Sequence, residues 1–117
     1  LVQNAIDASG ESAPVILEVR AAGLCGELAV IDSGGGMSAE FLRQSLFRPF
    51  VSTKAGGFGI GACEARELVR AMGGRLDAES REGLGSRFTV SLPRAEASRL
   101  LARQRQHTDL NTNERAA

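Results

Sequence analysis

The sequence is organised around one short stretch, Asp32-Ser33-Gly34-Gly35-Gly36-Met37. Residues 27–31, which favour a strand, lead directly into Asp32. A carboxylate at a strand end is held where a ligand can reach it, and glycines let a ligand lie directly on the backbone. The same residues also form an ordinary turn, in which an aspartate bonds its own backbone. By itself, the stretch is compatible with either a nucleotide-reading loop or a simple turn.

Length and composition define the class of protein. The chain has 117 residues, of which 43% are hydrophobic, which suits one globular domain with a single core. Its 14 basic and 14 acidic residues cancel, and its only aromatic residues are five phenylalanines. Both features argue against a nucleic-acid binder, which needs a basic stripe or a stacking surface. No apolar run reaches the ~18 residues of a membrane span, so we expect a soluble, cytoplasmic domain.

The cysteines and the histidine indicate no chemistry. Cys25 and Cys63 are far apart in the sequence and lack the spacing of a metal site. We interpret them as reduced thiols of a cytosolic protein. His107, the only histidine, lies in a polar tail, and nothing in its surroundings indicates a catalytic or phosphoacceptor role.

Residues 1–8 have the apolar spacing of a helix. Asn4 and Asp7 lie on its polar face, three residues apart and therefore neighbours. Because Mg²⁺ prefers oxygen ligands and keeps several waters, one amide oxygen together with phosphate oxygens would suffice to hold it. A solvated polar face is the other interpretation. No capping signal precedes Leu1, so we expect a fragment that begins inside a helix.

The rest of the chain alternates predicted strands and helices. We expect strands at 15–20 and 27–31, a short helix from Ser38 that Pro49 ends, a helix over 60–72, strands at 75–80 and 86–92, a marginal helix at 95–105 and a disordered tail at 107–117. The hydroxyl of Ser38 can cap the short helix. In the longer helix the apolar residues share one face, and Arg66 is expected on the solvent side.

A second glycine-rich stretch, residues 50–61, leads into the longer helix and contains Lys54 followed by four glycines. At such a helix start, free N–H groups and the helix dipole bind an anion, and a lysine adds a point charge. The stretch differs from the G-x-x-x-x-G-K-[ST] motif because its lysine precedes the glycines. A surface loop without a ligand is the other interpretation.

In order and spacing, these features resemble the ATP-binding catalytic domain of sensor histidine kinases, in the GHKL (Bergerat-type) superfamily that also holds gyrase, Hsp90 and MutL ATPases. Residues 1–8 resemble the second half of the N box, 32–37 the D-x-G-x-G box, 46–50 the F box, 57–61 the second glycine box, and 83–88 the closing G-x-G-[ST]-x-F hairpin. Within this family, the amino-acid sequence of residues 50–62 looks most like that of the PrsK-type kinases of exosortase (PEP-CTERM) systems.

The resemblance implies an α+β two-layer sandwich, in which helices cover one face of a mixed, largely antiparallel sheet. Residues 1–93 would form the ATP-binding domain, and residues 94–117 the marginal helix and polar tail. The family's first strand and the start of its first helix would precede Leu1, so we expect an N-terminally truncated domain.

The resemblance also implies a site that binds ATP and Mg²⁺. Its residues would be Asn4, Asp7, Asp32, Gly34, Gly36, Phe47, Phe50, Lys54, Gly57, Gly59 and Gly61. Asn4 would coordinate Mg²⁺, and Asp32 would accept a hydrogen bond from the adenine amino group. The glycines after Asp32 would leave room for the nucleotide, the lysine and the later glycines would line the phosphates, and the phenylalanines would anchor a short lid. Guanine carries a carbonyl in place of that amino group, so ATP should be preferred to GTP.

The function implied is that of a protein-histidine kinase. The γ-phosphate would pass to a histidine on a separate helical phosphoacceptor domain, and from there to the receiver domain of a response regulator. The same resemblance implies that the parent protein is a homodimer. It leaves open whether the parent protein is anchored in the inner membrane. The chain lacks the phosphoacceptor histidine region, so we do not expect it to phosphorylate itself. Two alternatives are a nucleotide-responsive interaction module without transfer and a hydrolysing ATPase of the gyrase and MutL type.

Overall fold

The computed structural model describes residues 1–10, 13–48, 61–95, 99–100 and 102–106. Its main elements are α1 (Val2–Ser9), β1 (Ile16–Ala22), β2 (Cys25–Asp32), α2 (Ala39–Gln44), α3 (Gly61–Ala71), β3 (Arg75–Arg81) and β4 (Gly85–Pro93). The strands form one sheet in the order β1-β2-β4-β3, and each neighbouring pair is antiparallel. Residues 99–100 and 102–106 are also helical. The predicted architecture of helices on a largely antiparallel sheet is confirmed.

The two faces of the sheet differ because side chains alternate along each strand. On the helix side, Val30, Phe88 and Ala78 stand opposite one another in β2, β4 and β3. The other side, called here the outer face, carries charged side chains, and Arg20 donates to Glu27 over 2.8 Å. Hydrogen bonding to Glu27 and the charge of its carboxylate raise the pKa of Arg20. Arginine is charged at any ordinary pH, so this pair brings no pH dependence.

One cluster of buried apolar residues lies between the helices and the β3–β4 half of the sheet. Its buried members are Leu46, Val69, Leu76 and Phe88, which come from the turn after α2, from α3, from β3 and from β4. Several half-buried apolar side chains pack around them, among them Met37 from the stretch that opens the sequence analysis. Burial of apolar surface therefore fixes α3 and that stretch against the same strands.

The helix ends follow local signals in the sequence. Ser38 caps α2, because its Oγ accepts a hydrogen bond from the Phe41 N–H over 3.1 Å, as the sequence predicts. After α3, Gly73 adopts a φ of 79° and the Gly74 N–H bonds back to the Val69 carbonyl over 2.9 Å. Such a left-handed glycine followed by a backward bond is a common helix stop.

The β1 edge of the sheet is the least covered part of the fold. Helix α1 packs on β2, and Val19 of β1 is 81% exposed.

None of the described helices has the length and the hydropathy of a membrane-spanning segment.

Candidate functional site

Asp32 occupies the end of β2 and is only 6% exposed. Its Oδ1 accepts a hydrogen bond from the Gly34 N–H over 2.9 Å, which is the turn that the sequence offered as one interpretation. A carboxylate has about four acceptor positions, and this bond uses one of them. The turn and a ligand-binding role are therefore compatible, because the turn holds the carboxylate in place.

The glycines after Asp32 are required by the packing of the chain itself. A Cβ on Gly34 would collide with the backbone of Ala8 at the end of α1, and one on Gly36 with the carbonyl of Arg81. Gly36 also has a φ of 69°, which side-chain-bearing residues rarely adopt. Gly35, in contrast, has nothing within 4 Å of a Cβ position. Clearance for a nucleotide, the role predicted from the sequence, stays a prediction beside this internal reason.

Residues 32–37, called here the base loop, are tied to the β3–β4 hairpin. The Met37 N–H donates to Ser80 Oγ over 2.8 Å, and the Gly83 N–H donates to the Gly35 carbonyl over 2.8 Å. Sequence reasoning missed Ser80. Its signal was present, because the alternation of Leu76 and Ala78 on the buried face of β3 assigns Ser80 to that face, where a hydroxyl needs a partner.

Ser86 is a second hydroxyl at this end of the site. It stands opposite Asp32 in the β2–β4 pairing, and both side chains are buried. Its Oγ lies 2.9 Å from that of Ser80. The carboxylate and the two hydroxyls thus form a polar patch on the helix side of the sheet.

Asn4 lies beside the start of α3. A Cβ built on Gly61 would be 3.5 Å from the Asn4 amide nitrogen and 3.9 Å from its oxygen. Two predicted site residues from distant parts of the sequence are thereby brought together. The first N–H groups of a helix and an amide oxygen suit a phosphate group and a hard cation, respectively.

Asp7 occupies an exposed position on α1. Its carboxylate accepts a hydrogen bond from the side chain of Gln3, one turn earlier, over 2.9 Å. Its membership of a nucleotide site stays a prediction.

Phe47 packs against the core cluster and contacts α3 through a cation–π interaction. The guanidinium carbon of Arg66 lies 4.6 Å from the centre of the Phe47 ring. The expectation that Arg66 faces solvent is wrong, since its side chain is only 28% exposed and its Nε is buried, with no hydrogen-bond partner among the described residues. The long side chain reaches sideways from the helix to the ring, which helical periodicity alone does not reveal.

Four predicted site residues lie outside the described residues. They are Phe50, Lys54, Gly57 and Gly59. Their roles at the lid and the phosphates remain predictions from the sequence.

An open cavity of about 460 Å³ adjoins the Asp32 end of the sheet. Asp32, Ser80 and Ser86 contribute to its wall, and it reaches the outer face at Glu79 and Arg87. Among the described residues, neither Asn4 nor Gly61 lines it. The cavity therefore belongs to the base-loop end.

Comparison with known proteins identifies the family of the chain. The family described as histidine kinase-, DNA gyrase B-, and HSP90-like ATPase matches residues 1–96. Sensor histidine kinase ZraS of Klebsiella oxytoca is 42% identical over 97 residues, which are 80% of this chain and 20% of that protein. The C4-dicarboxylate transport sensor protein DctB of Rhizobium meliloti (strain 1021) is 37% identical over 97 residues, 81% of this chain and 15% of that protein.

Solved structures give the same result. Full-length ShkA in complex with AMPPNP superposes with a TM-score of 0.69 at 29% identity, over 79% of this chain and 19% of that one. The catalytic domain of histidine kinase ThkA superposes with a TM-score of 0.68 at 31% identity, over 79% of this chain and 60% of that one. The chain spans about one fifth of the length of ZraS. The predicted resemblance to sensor histidine kinase catalytic domains is confirmed.

Proposed function

Because the chain belongs to the histidine kinase-, DNA gyrase B- and HSP90-like ATPase family, we propose that it donates the γ-phosphate of ATP to a histidine on a separate domain. It is an ATP-binding catalytic domain of the histidine kinase type. The solved relative ShkA is described with AMPPNP bound, which supports ATP as the nucleotide of this chain.

One observation carries the proposal: helix α1 contacts both ends of the candidate site. Its residue Ala8 lies against Gly34 of the base loop, and its residue Asn4 lies against Gly61 at the start of α3. Four residues of helix span about 6 Å at about 1.5 Å per residue. A nucleotide site has to bind the base at one end and the phosphates at the other. Helix α1 joins the loop of Asp32, the carboxylate proposed to read the base, to the start of α3, which is proposed to bind the phosphates.

At the base end, Asp32 would accept the hydrogen bond of the adenine amino group. A hydrogen bond to a charged group contributes about 1.5–3 kcal/mol. Guanine would place a carbonyl oxygen against the carboxylate, so ATP should bind more tightly than GTP. The turn bond from the Gly34 N–H keeps Asp32 oriented before the nucleotide arrives.

At the phosphate end, the first N–H groups of α3 would bind phosphate oxygens, helped by the helix dipole. The Asn4 amide oxygen, beside Gly61, is a ligand that Mg²⁺ accepts. When bound, Mg²⁺ would neutralise negative charge on the phosphates. Lys54, Gly57 and Gly59 would complete the phosphate site.

The partners in this proposal are a helical phosphoacceptor domain of the same protein and, through it, a response regulator receiver domain. A homodimeric parent protein and a cytoplasmic position of this chain belong to the same proposal. The matched relatives ZraS and DctB are named as sensor proteins, which supports a role in signal transduction. The narrower assignment to PrsK-type kinases also stays a proposal.

The transfer step is tested with the full-length natural protein and ATP labelled in the γ-phosphate. The expected product is an acid-labile phosphohistidine, lost in Asn4→Ala. The matched control is Gln44→Ala, which removes an exposed side-chain amide on α2 and should leave labelling unchanged.

Two other outcomes would contradict the transfer. Free phosphate without a phosphoprotein would indicate a hydrolysing ATPase of the gyrase and MutL type. Tight ATP binding with neither product would indicate a nucleotide-responsive interaction module.

A further inference from the structure

Ser80 is the centre of a hydrogen-bond network that no motif of the sequence predicts. Its Oγ accepts from the Met37 N–H over 2.8 Å, donates to the Gly85 carbonyl over 2.8 Å, and lies 2.9 Å from Ser86 Oγ. One side chain thus connects the base loop, the turn of the β3–β4 hairpin and the residue opposite Asp32.

Proton counting fixes the direction of the contact between the two serines. A hydroxyl has one proton to donate and two lone pairs that accept. A carbonyl oxygen only accepts, so the proton of Ser80 goes to Gly85, and Ser86 has to be the donor to Ser80. Both lone pairs of Ser80 are then occupied, by Met37 and by Ser86.

This direction matters for Asp32. Because the proton of Ser86 is committed to Ser80, Ser86 does not donate to the carboxylate that stands opposite it in the sheet. Asp32 therefore keeps its acceptor capacity for a ligand, apart from the bond it receives from Gly34. At the same time, the bond from Met37 fixes the far end of the loop that Asp32 begins.

We propose that Ser80 is a positioning residue for base recognition: it anchors the base loop through Met37 and orients the Ser86 hydroxyl away from Asp32. This inference rests on the proposed function, since it assigns to Ser80 the adenine preference of that same site. Ser80 acts through its neighbours and need not touch the nucleotide.

The hydroxyl, not the volume of the side chain, carries this role. Alanine differs from serine by a single oxygen and fits the same space, with Ala78 as its nearest neighbour on that face of β3. In Ser80→Ala, however, the Met37 N–H and the Ser86 O–H both lose their acceptor. An unsatisfied polar group in a part-buried network weakens the arrangement it belonged to.

The experiment measures dissociation constants of ATP, GTP and tripolyphosphate, each with Mg²⁺, by calorimetry on the full-length natural protein. For Ser80→Ala, the ATP-over-GTP preference should fall about tenfold, the equivalent of one lost buried hydrogen bond. Affinity for tripolyphosphate, which has no base, should remain within about twofold of the unaltered protein, on the same scale. Ser80→Thr keeps the hydroxyl and should restore most of the preference.

Ser91→Ala is the matched control, since Ser91 lies on β4 with its side chain on the outer face, opposite Arg75. It should leave all three affinities unchanged. An equal loss for the three ligands in Ser80→Ala, or a lower melting temperature with an unchanged ATP-over-GTP preference, would overturn the inference and assign Ser80 a structural role only.

A second variant decides the matter if Ser80→Ala does not fold. Ser80→Cys keeps nearly the same shape with a weaker hydrogen-bonding group, and a partial loss of the preference is expected. An unchanged preference would overturn the inference. Failure of the proposed function is visible separately, because the unaltered protein would then form no acid-labile phosphohistidine or would show no preference for ATP over GTP.

Discussion

The two ends of the candidate site use glycine for different reasons. At the base loop, the space beside Gly34 and Gly36 is filled by the backbone of Ala8 and of Arg81. At the start of α3, a side chain on Gly61 would be in ordinary contact with the Asn4 amide, at 3.5 Å, among the residues that the structure describes. The base end is therefore built by the protein's own packing before any ligand binds. At Gly61, no comparable clash with the described backbone requires a glycine.

The largest expected effect is on stability at the base loop. Gly36→Ala forces a Cβ into the Arg81 carbonyl and a φ of 69° on a residue that rarely adopts it. We expect a loss of about 3 kcal/mol or more in the free energy of unfolding, measured by urea denaturation. Gly35→Ala, where a Cβ meets nothing, is the matched control and should change it by less than about 1 kcal/mol. Equal effects of the two variants would contradict an internally packed base loop.

The next effect is on nucleotide affinity within an unchanged loop. Asp32→Asn keeps an oxygen that can accept the bond from the Gly34 N–H, but it removes the negative charge. ATP affinity should fall about ten- to hundredfold, corresponding to about 1.5–3 kcal/mol, in a calorimetric titration. GTP affinity should not fall, since the substitution removes the charge that opposes the guanine carbonyl.

The control for this substitution is Asp77→Asn, a carboxylate on the outer face that pairs with Arg75. Its ATP affinity should equal that of the unaltered protein. Unchanged ATP affinity in Asp32→Asn would refute the assignment of Asp32 as the residue that reads the base.

A smaller effect on stability is expected at the contact between Arg66 and Phe47. Arg66→Gln removes the guanidinium from the Phe47 ring and should lower the free energy of unfolding by about 0.5–1 kcal/mol. Arg70→Gln is the matched control, because Arg70 is exposed and lies 3.6 Å from Glu67 on the same helix. The same loss in both variants would show that the ring contact contributes nothing specific.

The smallest stability effect belongs to the phosphate end. Gly61→Ala places a methyl group in ordinary contact with Asn4 and exchanges a poor helix former for a good one. The free energy of unfolding should change by less than about 1 kcal/mol, in either direction. ATP affinity, measured in parallel by calorimetry, should fall. A stability loss as large as that of Gly36→Ala would remove the distinction between the two ends.

Much of the fold could be predicted from the sequence because its signals are local. The hydroxyl of Ser38 three residues before Phe41 indicates the start of α2, and the glycines after α3 indicate its end. Alternation of apolar residues predicts β4 and its buried face. Such features depend on neighbours within one turn or one strand, which the sequence displays directly.

The remaining features depend on contacts between distant residues. Ser80 meets a partner 43 positions earlier in the chain, and Arg66 meets the ring of Phe47 across two elements. For Asp32, the sequence offered a turn and a binding site as alternatives. In the structure, Asp32 forms the turn bond with Gly34, and a carboxylate has further acceptor positions, so the two interpretations are compatible. Burial and partners, which the sequence does not contain, decide these cases.

The strand order has a consequence for biosynthesis. Asp32 ends β2, yet its sheet neighbour Ser86 lies in β4, the last strand of the sheet. A ribosome adds about 5–20 residues per second, so the β3–β4 hairpin that holds the base loop is synthesised several seconds after the loop. During that interval, the base loop lacks the hydrogen bonds that it receives from and donates to the β3–β4 hairpin.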